Sequence, residues 1–278
     1  MVGRDWVGPA LRVALFGLTG FVGLLVMGFA LSPLGSLVSA TLSVFGAAAM
    51  ATALVLRIYG GGRLAAIGLA WHGAALRHLG YGLGLGSGGI LLALGVPLLL
   101  GKAEFVAMPE AAFNLPSLGL VAVCLLFGAV GEELLFRGYA FQVLAGSFGT
   151  YKVLLPLATL FAAMHAGNHS ATPLGLFNTF MWGVLLGLAL LRSGDLWLPV
   201  GLHFGWNVTT PLFGVNLSGF TMGLTGYTVR WNAGELWSGG GYGPEGGLPC
   251  TLVCLSIGYL LYRLPLERQR LPLLPEEE

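Results

Sequence analysis

The stretch Gly131-Glu132-Glu133-Leu134-Leu135-Phe136-Arg137-Gly138 places three charged residues at the end of a long apolar run. No charged residue occurs from Ala111 to Gly131. A charge at the centre of a bilayer costs about 3 kcal/mol on insertion scales, so ionisable residues in a membrane helix are expected to serve function. In a helix, Glu133 and Arg137 share a face, whereas Glu132 is turned by about 100° and lacks that partner. We therefore expect one glutamate to be structural and the other to be available for chemistry.

The composition indicates an all-α integral membrane protein. Of the 278 residues, 56% are hydrophobic and only 9% are charged, which excludes the soluble globular class. The net charge of +1 gives no basic excess for binding nucleic acid. We expect a single membrane domain over residues 1–278. The cysteines lie in apolar runs and are interpreted as packing thiols: Cys124, Cys250 and Cys254.

The apolar runs predict about eight transmembrane helices, because a bilayer core of about 30 Å requires about 20 apolar residues per helix. The charge-free run from Val13 to Leu56 reads as two helices joined by a hairpin at Ser32-Pro33, since proline disfavours a continuous helix. The glutamate pair would lie near the middle of the fourth helix. The other six helices are predicted at residues 81–100, 117–145, 153–165, 174–191, 196–213 and 248–262.

Two segments between these helices are predicted to lie outside the bilayer core. Residues 63–79 indicate an interfacial helix whose His72 and His78 contact lipid headgroups. The predicted third helix follows this segment and begins with several glycines, which permit close helix packing. Residues 214–247 are rich in glycine and aromatic side chains. They could form an ordered cap, but we favour a flexible, non-cytoplasmic loop whose aromatic side chains lie at the interface.

Basic residues divide unequally between the two sides of this arrangement. Lys102 and Arg230 lie on one side, and the other eleven of the 13 Lys and Arg residues lie on the side of the N-terminus. Because basic residues are retained in the cytoplasm, both termini are predicted to be cytoplasmic. The larger group comprises Arg4, Arg12, Arg57, Arg63, Arg77, Arg137, Lys152, Arg192, Arg263, Arg268 and Arg270.

Polar side chains recur at helical spacing on three of the predicted membrane helices. Phe161 and His165 are four residues apart, as are His203 and Asn207. With Glu132, a bundle could gather a carboxylate, two imidazoles and an amide around a water-filled cavity. Such a set can activate water and donate hydrogen bonds to an oxyanion. The carboxylate and both imidazoles could instead hold zinc and leave one coordination position open.

These motifs resemble those of the CAAX protease and bacteriocin-processing (CPBP) family of intramembrane endopeptidases. E-E-x-x-x-R at 132–137, F-x-x-x-H at 161–165 and H-x-x-x-N at 203–207 occur in this order on separate apolar runs. The family includes CAAX prenyl endopeptidases and bacterial proteins of the abortive-infection (ABI) type. The resemblance covers roughly residues 115–210.

The resemblance implies a role for each motif residue in peptide-bond hydrolysis. Glu132 and His165 would activate water, and His203 and Asn207 would form an oxyanion hole. It also implies a membrane-associated protein or peptide substrate, which could be lipidated, and a bacterial plasma membrane as the location. Supporting positions fall on Glu133, Arg137 and Phe161.

The sequence does not decide whether the protein uses a metal ion, and it allows two functions other than peptide-bond hydrolysis. Family members are commonly called metalloproteases, with candidate zinc ligands Glu132, His165 and His203, but a metal-free glutamate mechanism is also proposed for them. We favour the metal-free mechanism, because no acid that would orient the histidines is evident in the sequence. A proton- or metal-coupled transporter would predict inverted repeats, but the first half of the chain carries no counterpart of the motifs. The third hypothesis is a catalytically silent scaffold of the bacteriocin-immunity type.

Overall fold

A computed structural model describes residues 7–108 and 113–274, and Arg4, Glu110 and the acidic residues 276–278 lie outside them. The described chain is a helical bundle with one antiparallel pair of strands, β1 (Ala103–Ala107) and β2 (Tyr227–Trp231). The α-helices are α1 (Val7–Leu31), α2 (Ser36–Tyr59), α3 (Ala75–Leu99), α4 (Leu115–Phe136), α5 (Tyr139–Phe148), α6 (Thr150–Met164), α7 (Pro173–Ser193), α8 (Trp197–Thr209), α9 (Glu235–Ser238) and α10 (Leu248–Arg263). This architecture confirms the all-α polytopic membrane fold.

Helix length separates the predicted membrane helices into two groups. Among the described residues, five helical segments are long and apolar enough to cross a membrane: α1, α2, α3, α4 with α5, and α7. The predicted hairpin is confirmed by a tight 3₁₀ turn at Ser32–Leu34 between α1 and α2. The other three predicted membrane helices coincide with α6, α8 and α10, which have 15, 13 and 16 residues. A helix of 15 residues is only about 22 Å long, so α6 ends beside His165 before it could span a full bilayer core.

The fourth predicted helix, residues 117–145, is interrupted. Helix α4 ends at Phe136 and α5 follows after a break at Arg137 and Gly138. A Cβ atom at Gly138 would overlap the carbonyl oxygen of Leu134, so glycine allows the chain to turn this tightly. The glutamate pair lies in the last turns of α4, and it is near the middle of the candidate membrane span that α4 and α5 form together, as predicted.

Helices α3 and α8 pack against each other through facing glycines. A Cβ atom at Gly82 would overlap the carbonyl oxygen of Leu198 on α8, and one at Gly201 would overlap that of Leu79 on α3. The close approach confirms the prediction made from the glycines of the third predicted helix. It fixes the position of α8, which carries two of the candidate site residues. The three cysteines are buried and free, as predicted.

Residues 63–79 do not form an interfacial helix. Helix α3 begins within this segment, and His78 is buried. The Nδ1 atom of His78 lies 2.6 Å from Oδ2 of Asp195, and Nε2 of His72 lies 3.0 Å from the same oxygen. The headgroup contacts predicted for these histidines were wrong, because both face a buried aspartate that caps α8 through Oδ1. That partner is 117 residues from His78, beyond the reach of any local pattern.

Residues 214–247, which we call the cap, are folded rather than flexible. The cap contains β2, α9 and two 3₁₀ turns. Its Tyr242 is fully buried, and burial raises the pKa of Tyr242 to about 12. Asn178 of α7 donates hydrogen bonds to the carbonyl oxygens of Glu245 and Gly247, over 2.7 and 3.0 Å. The flexible-loop interpretation was wrong, because the buried tyrosine and these bonds to α7 fix the segment.

Candidate active site

Glu133 links α4 to α8 at the centre of the site. Its side chain is fully buried, and Oε1 accepts a hydrogen bond from Nη1 of Arg137 at 3.2 Å. This contact is the ion pair that the four-residue spacing predicts. The same oxygen accepts a second hydrogen bond from Nδ1 of His203 at 2.8 Å. Glu133 therefore balances a buried guanidinium and also orients a site histidine.

Phe161 supports the same region through ring contacts. The guanidinium of Arg137 lies 4.6 Å from the centre of the Phe161 ring, within the range of a cation–π interaction. The centre of the Phe161 ring also lies 4.6 Å from the centre of the His165 ring. Arg137 also donates from Nη2 to the carbonyl oxygen of Gly183 on α7, over 3.0 Å. These contacts hold α4, α6 and α7 together around the two motif residues.

Both site histidines have Nδ1 engaged by an acceptor. Nδ1 of His165 lies 2.8 Å from the carbonyl oxygen of Phe161, and a carbonyl oxygen can only accept, so Nδ1 carries the proton. Nδ1 of His203 likewise donates to the carboxylate of Glu133. In each ring, Nε2 is therefore the nitrogen that can exchange a proton or bind another group.

Glu132 has a different environment from its neighbour. Its side chain is 27% exposed, against 0% for Glu133. The Oε2 atom of Glu132 has no hydrogen-bond partner among the residues that the structure describes, and it lies 3.7 Å from Nε2 of His203. That distance is too long for a direct hydrogen bond.

One cavity of about 270 Å³ brings the predicted catalytic residues together. Its wall includes Glu132, His165, His203 and Asn207, which come from α4, the end of α6, and α8. Most of the remaining wall is apolar. It is formed by α1, α2, α4, α6, α7 and the cap through residues such as Leu24, Leu37, Val44, Leu125, Met164, Trp182, Phe220 and Met222. The cavity therefore combines a mostly apolar wall with a small cluster of polar side chains.

Residues 114–209 match the family model described as type II CAAX prenyl endopeptidase Rce1-like. Residues 114–209, called the Rce1-like domain below, are similar to this family over about a third of the chain. This match confirms the resemblance to the CPBP family, and the matched segment contains every residue of the three motifs. A search of curated proteins finds no significant match to the chain. The protein is accordingly an integral membrane protein, and one segment of it is similar to an intramembrane endopeptidase family.

The cap adds a carboxylate to the Rce1-like domain that the sequence motifs did not indicate. Glu245 lies on the cavity wall beyond the matched segment. Its Oε1 accepts a hydrogen bond from Nε1 of Trp206 at 3.0 Å, and its Oε2 accepts from Ser218. Burial raises the pKa of Glu245, while the hydrogen bonds from Ser218 and Trp206 act in the opposite direction. Glu245 sits in a glycine-rich stretch without helical spacing, so no periodic pattern could have identified it.

The candidate zinc ligands of the Rce1-like domain are not assembled as a metal site. Within residues 7–108 and 113–274, no three His, Cys, Asp or Glu side chains are grouped to hold a metal ion. Glu132, His165 and His203 share the cavity, but they do not form a ready set of ligands. One reason for favouring a metal-free mechanism was wrong, however, because Glu133 is an acid that orients His203.

Proposed function

We propose that the protein hydrolyses a peptide bond of a membrane-associated protein or peptide, with water activated by Glu132 and His165. The observation that carries the proposal is the position of Glu132, whose side chain is 27% exposed, on a cavity wall shared with both histidines and Asn207. Glu133, in contrast, has no exposed side-chain surface. A carboxylate in the position of Glu132 can accept a proton from a water molecule in the cavity.

The hydrolytic step requires a base that is close to water and to the peptide carbonyl. Glu132 accepts a proton from water while the water oxygen bonds to the carbonyl carbon, which yields a tetrahedral intermediate and a protonated carboxyl group. His165, with its proton on Nδ1, can accept or donate through Nε2. Breakage of the C–N bond then transfers the proton to the leaving amine and restores the carboxylate of Glu132.

The oxyanion of this intermediate requires donors, which we assign to His203 and Asn207. Asn207 follows His203 by one helical turn on α8, so both side chains reach the same cavity. The amide of Asn207 donates as it stands. Nδ1 of His203 already donates to Glu133, so His203 can donate from Nε2 only when both ring nitrogens carry protons. The role thus requires the imidazolium form, whereas zinc binding through Nε2 would require the neutral form.

We keep the metal-free mechanism as the proposal, because Glu132, His165, His203 and Asn207 can supply a base and oxyanion donors from one cavity wall. No step above needs a metal ion. A zinc ion, if the protein binds one, would act on the water that is otherwise held by Glu132.

The orientation that we propose keeps both termini in the cytoplasm of a bacterial cell. Arg230 lies on β2, and Lys102 immediately precedes β1. Lys102 and Arg230, the two basic residues assigned to the non-cytoplasmic side, therefore lie at the same end of the bundle, as the proposed orientation requires. The cap then lies on the non-cytoplasmic side.

The experiment that tests the function compares membrane proteomes. Cells that carry Glu132→Gln should accumulate an uncleaved protein that the wild type shortens. Glu104→Gln is the matched control, because it replaces a carboxylate by an amide in the same way but at an exposed position. Glu104 lies on β1 and pairs with Arg230. Identical peptide termini in the wild type and the Glu132→Gln strain would contradict the proposal.

A further inference from the structure

The carboxylate of Glu245 forms a clasp between the cap and α8. Oε2 accepts hydrogen bonds from both the backbone N–H and the hydroxyl group of Ser218, at 2.6 and 2.7 Å. Oε1 accepts the indole N–H of Trp206 at 3.0 Å. Three donors thus converge on a side chain that is nearly inaccessible to solvent. Such charge-assisted bonds are among the stronger contacts in a protein.

Ser218 has an unusual backbone conformation at this clasp. Its φ angle is +47°, in the left-handed region that residues other than glycine rarely adopt. Strained backbone of this kind persists only where surrounding contacts hold it, and it is concentrated at functional sites. Here the two hydrogen bonds to Glu245 hold Ser218, and Ser218 lies on the cavity wall.

All three residues of the clasp, Trp206, Ser218 and Glu245, line the cavity. Trp206 directly precedes Asn207 on α8, so one end of the clasp is next to the proposed oxyanion donor. The other end fixes the part of the cap that contributes Leu217, Phe220 and Met222 to the wall. The hydrogen bonds of Glu245 are directed at Ser218 and Trp206, so its part is to fix the wall of the cavity.

We propose that Glu245 is a positioning residue that holds the cap against α8 and thereby shapes the wall that binds an apolar substrate side chain beside the scissile bond. The inference rests on the proposed peptidase function. Loss of the clasp should release the cap and weaken substrate binding, while the water-activating groups on α4 and α6 stay in place. The Michaelis constant should therefore change more than the turnover number.

Glu245→Gln tests the clasp with little change in shape. A glutamine NH₂ group cannot accept the N–H of Ser218, so at least one buried donor loses its partner. Losing a hydrogen bond to a charged group corresponds to roughly a tenfold or larger change in local opening. Hydrogen–deuterium exchange of the full chain in lipid nanodiscs should therefore be about tenfold faster over residues 215–222. Glu104→Gln, on the exposed sheet, should exchange like the wild type.

Kinetics on the same samples test the role in substrate binding. With a library of internally quenched peptides as the probe, Glu245→Gln should raise KM by about tenfold and change kcat by less than about threefold. Ser218→Ala is the second variant, since it removes one of the three bonds and keeps the carboxylate. It should show a smaller change in the same direction.

The outcomes separate the clasp from the peptidase function. Exchange over residues 215–222 that equals the wild type in both variants overturns the clasp. A fall in kcat at unchanged KM overturns the positioning role and moves Glu245 into the chemistry. If the wild type cleaves no peptide of the library and no cellular protein, the proposed function fails, and the exchange data still decide whether Glu245 holds the cap.

Discussion

Replacing Glu133 by glutamine should destabilise the protein, because it removes the charge that balances Arg137. Both side chains are almost completely buried. Removing one partner of a buried ion pair typically costs about 3–5 kcal/mol. Arg137 would keep its bond to the carbonyl oxygen of Gly183 and its contact with the Phe161 ring. We therefore expect the lower end of that range, about 3 kcal/mol of unfolding free energy.

The double variant Glu133→Gln/Arg137→Met identifies the source of this loss. Replacing the guanidinium by an apolar side chain removes the uncompensated charge, so the double variant should regain about 1 kcal/mol or more over Glu133→Gln alone. Denaturant titration of the purified protein in mixed micelles measures these differences. A Glu133→Gln variant as stable as the wild type would refute the assignment of Glu133 to the buried pair.

The structure changes the activity that we expect for variants of Glu133. Helix spacing alone predicts that activity falls only in proportion to stability. Since Oε1 of Glu133 also accepts the Nδ1 proton of His203, the double variant should regain stability without regaining full turnover. Full activity in the double variant would show that the contact between Glu133 and His203 is not used.

Three further predictions concern the topology, the oxyanion hole and metal. Reporter fusions after Lys152 should be cytoplasmic and fusions near Trp231 should be external, and a cytoplasmic signal at the latter position contradicts the proposed orientation. Asn207→Ala should lower kcat by about 10²-fold with little change in substrate binding, whereas unchanged turnover would reduce Asn207 to a packing residue. Chelator-stripped protein should keep its activity. Activity that disappears with the metal and returns when zinc is added would instead establish zinc dependence.

The sequence predicts well those features that depend on composition and local spacing. Hydropathy located the five helical segments that are long enough to cross a membrane, although it did not show that α6, α8 and α10 are shorter. Proline located the hairpin between α1 and α2, and glycines indicated the close contact of α3 with α8. The four-residue spacing of Glu133 and Arg137 predicted a contact that is present at 3.2 Å. Such features are readable because one helix or one apolar run contains all the residues involved.

Contacts between residues that are far apart in the chain could not be predicted from local sequence patterns. The partner of His78 is Asp195, and the partner of Ser218 and Trp206 is Glu245. A buried polar side chain must find hydrogen bonds wherever the fold brings donors and acceptors together, and local periodicity does not encode that pairing. The order in the cap arises from the same kind of contact, which is why composition alone indicated a loop.

The most direct test of the account is the turnover of Glu132→Gln beside that of the wild type on a substrate identified from the membrane proteome. The variant keeps the size of the side chain and leaves the buried contacts of Glu133 intact, so its thermal stability should equal that of the wild type. Because an amide cannot accept the proton of water, turnover should fall by at least about 10²-fold. Cleavage at the wild-type rate by stable Glu132→Gln would contradict water activation by this carboxylate.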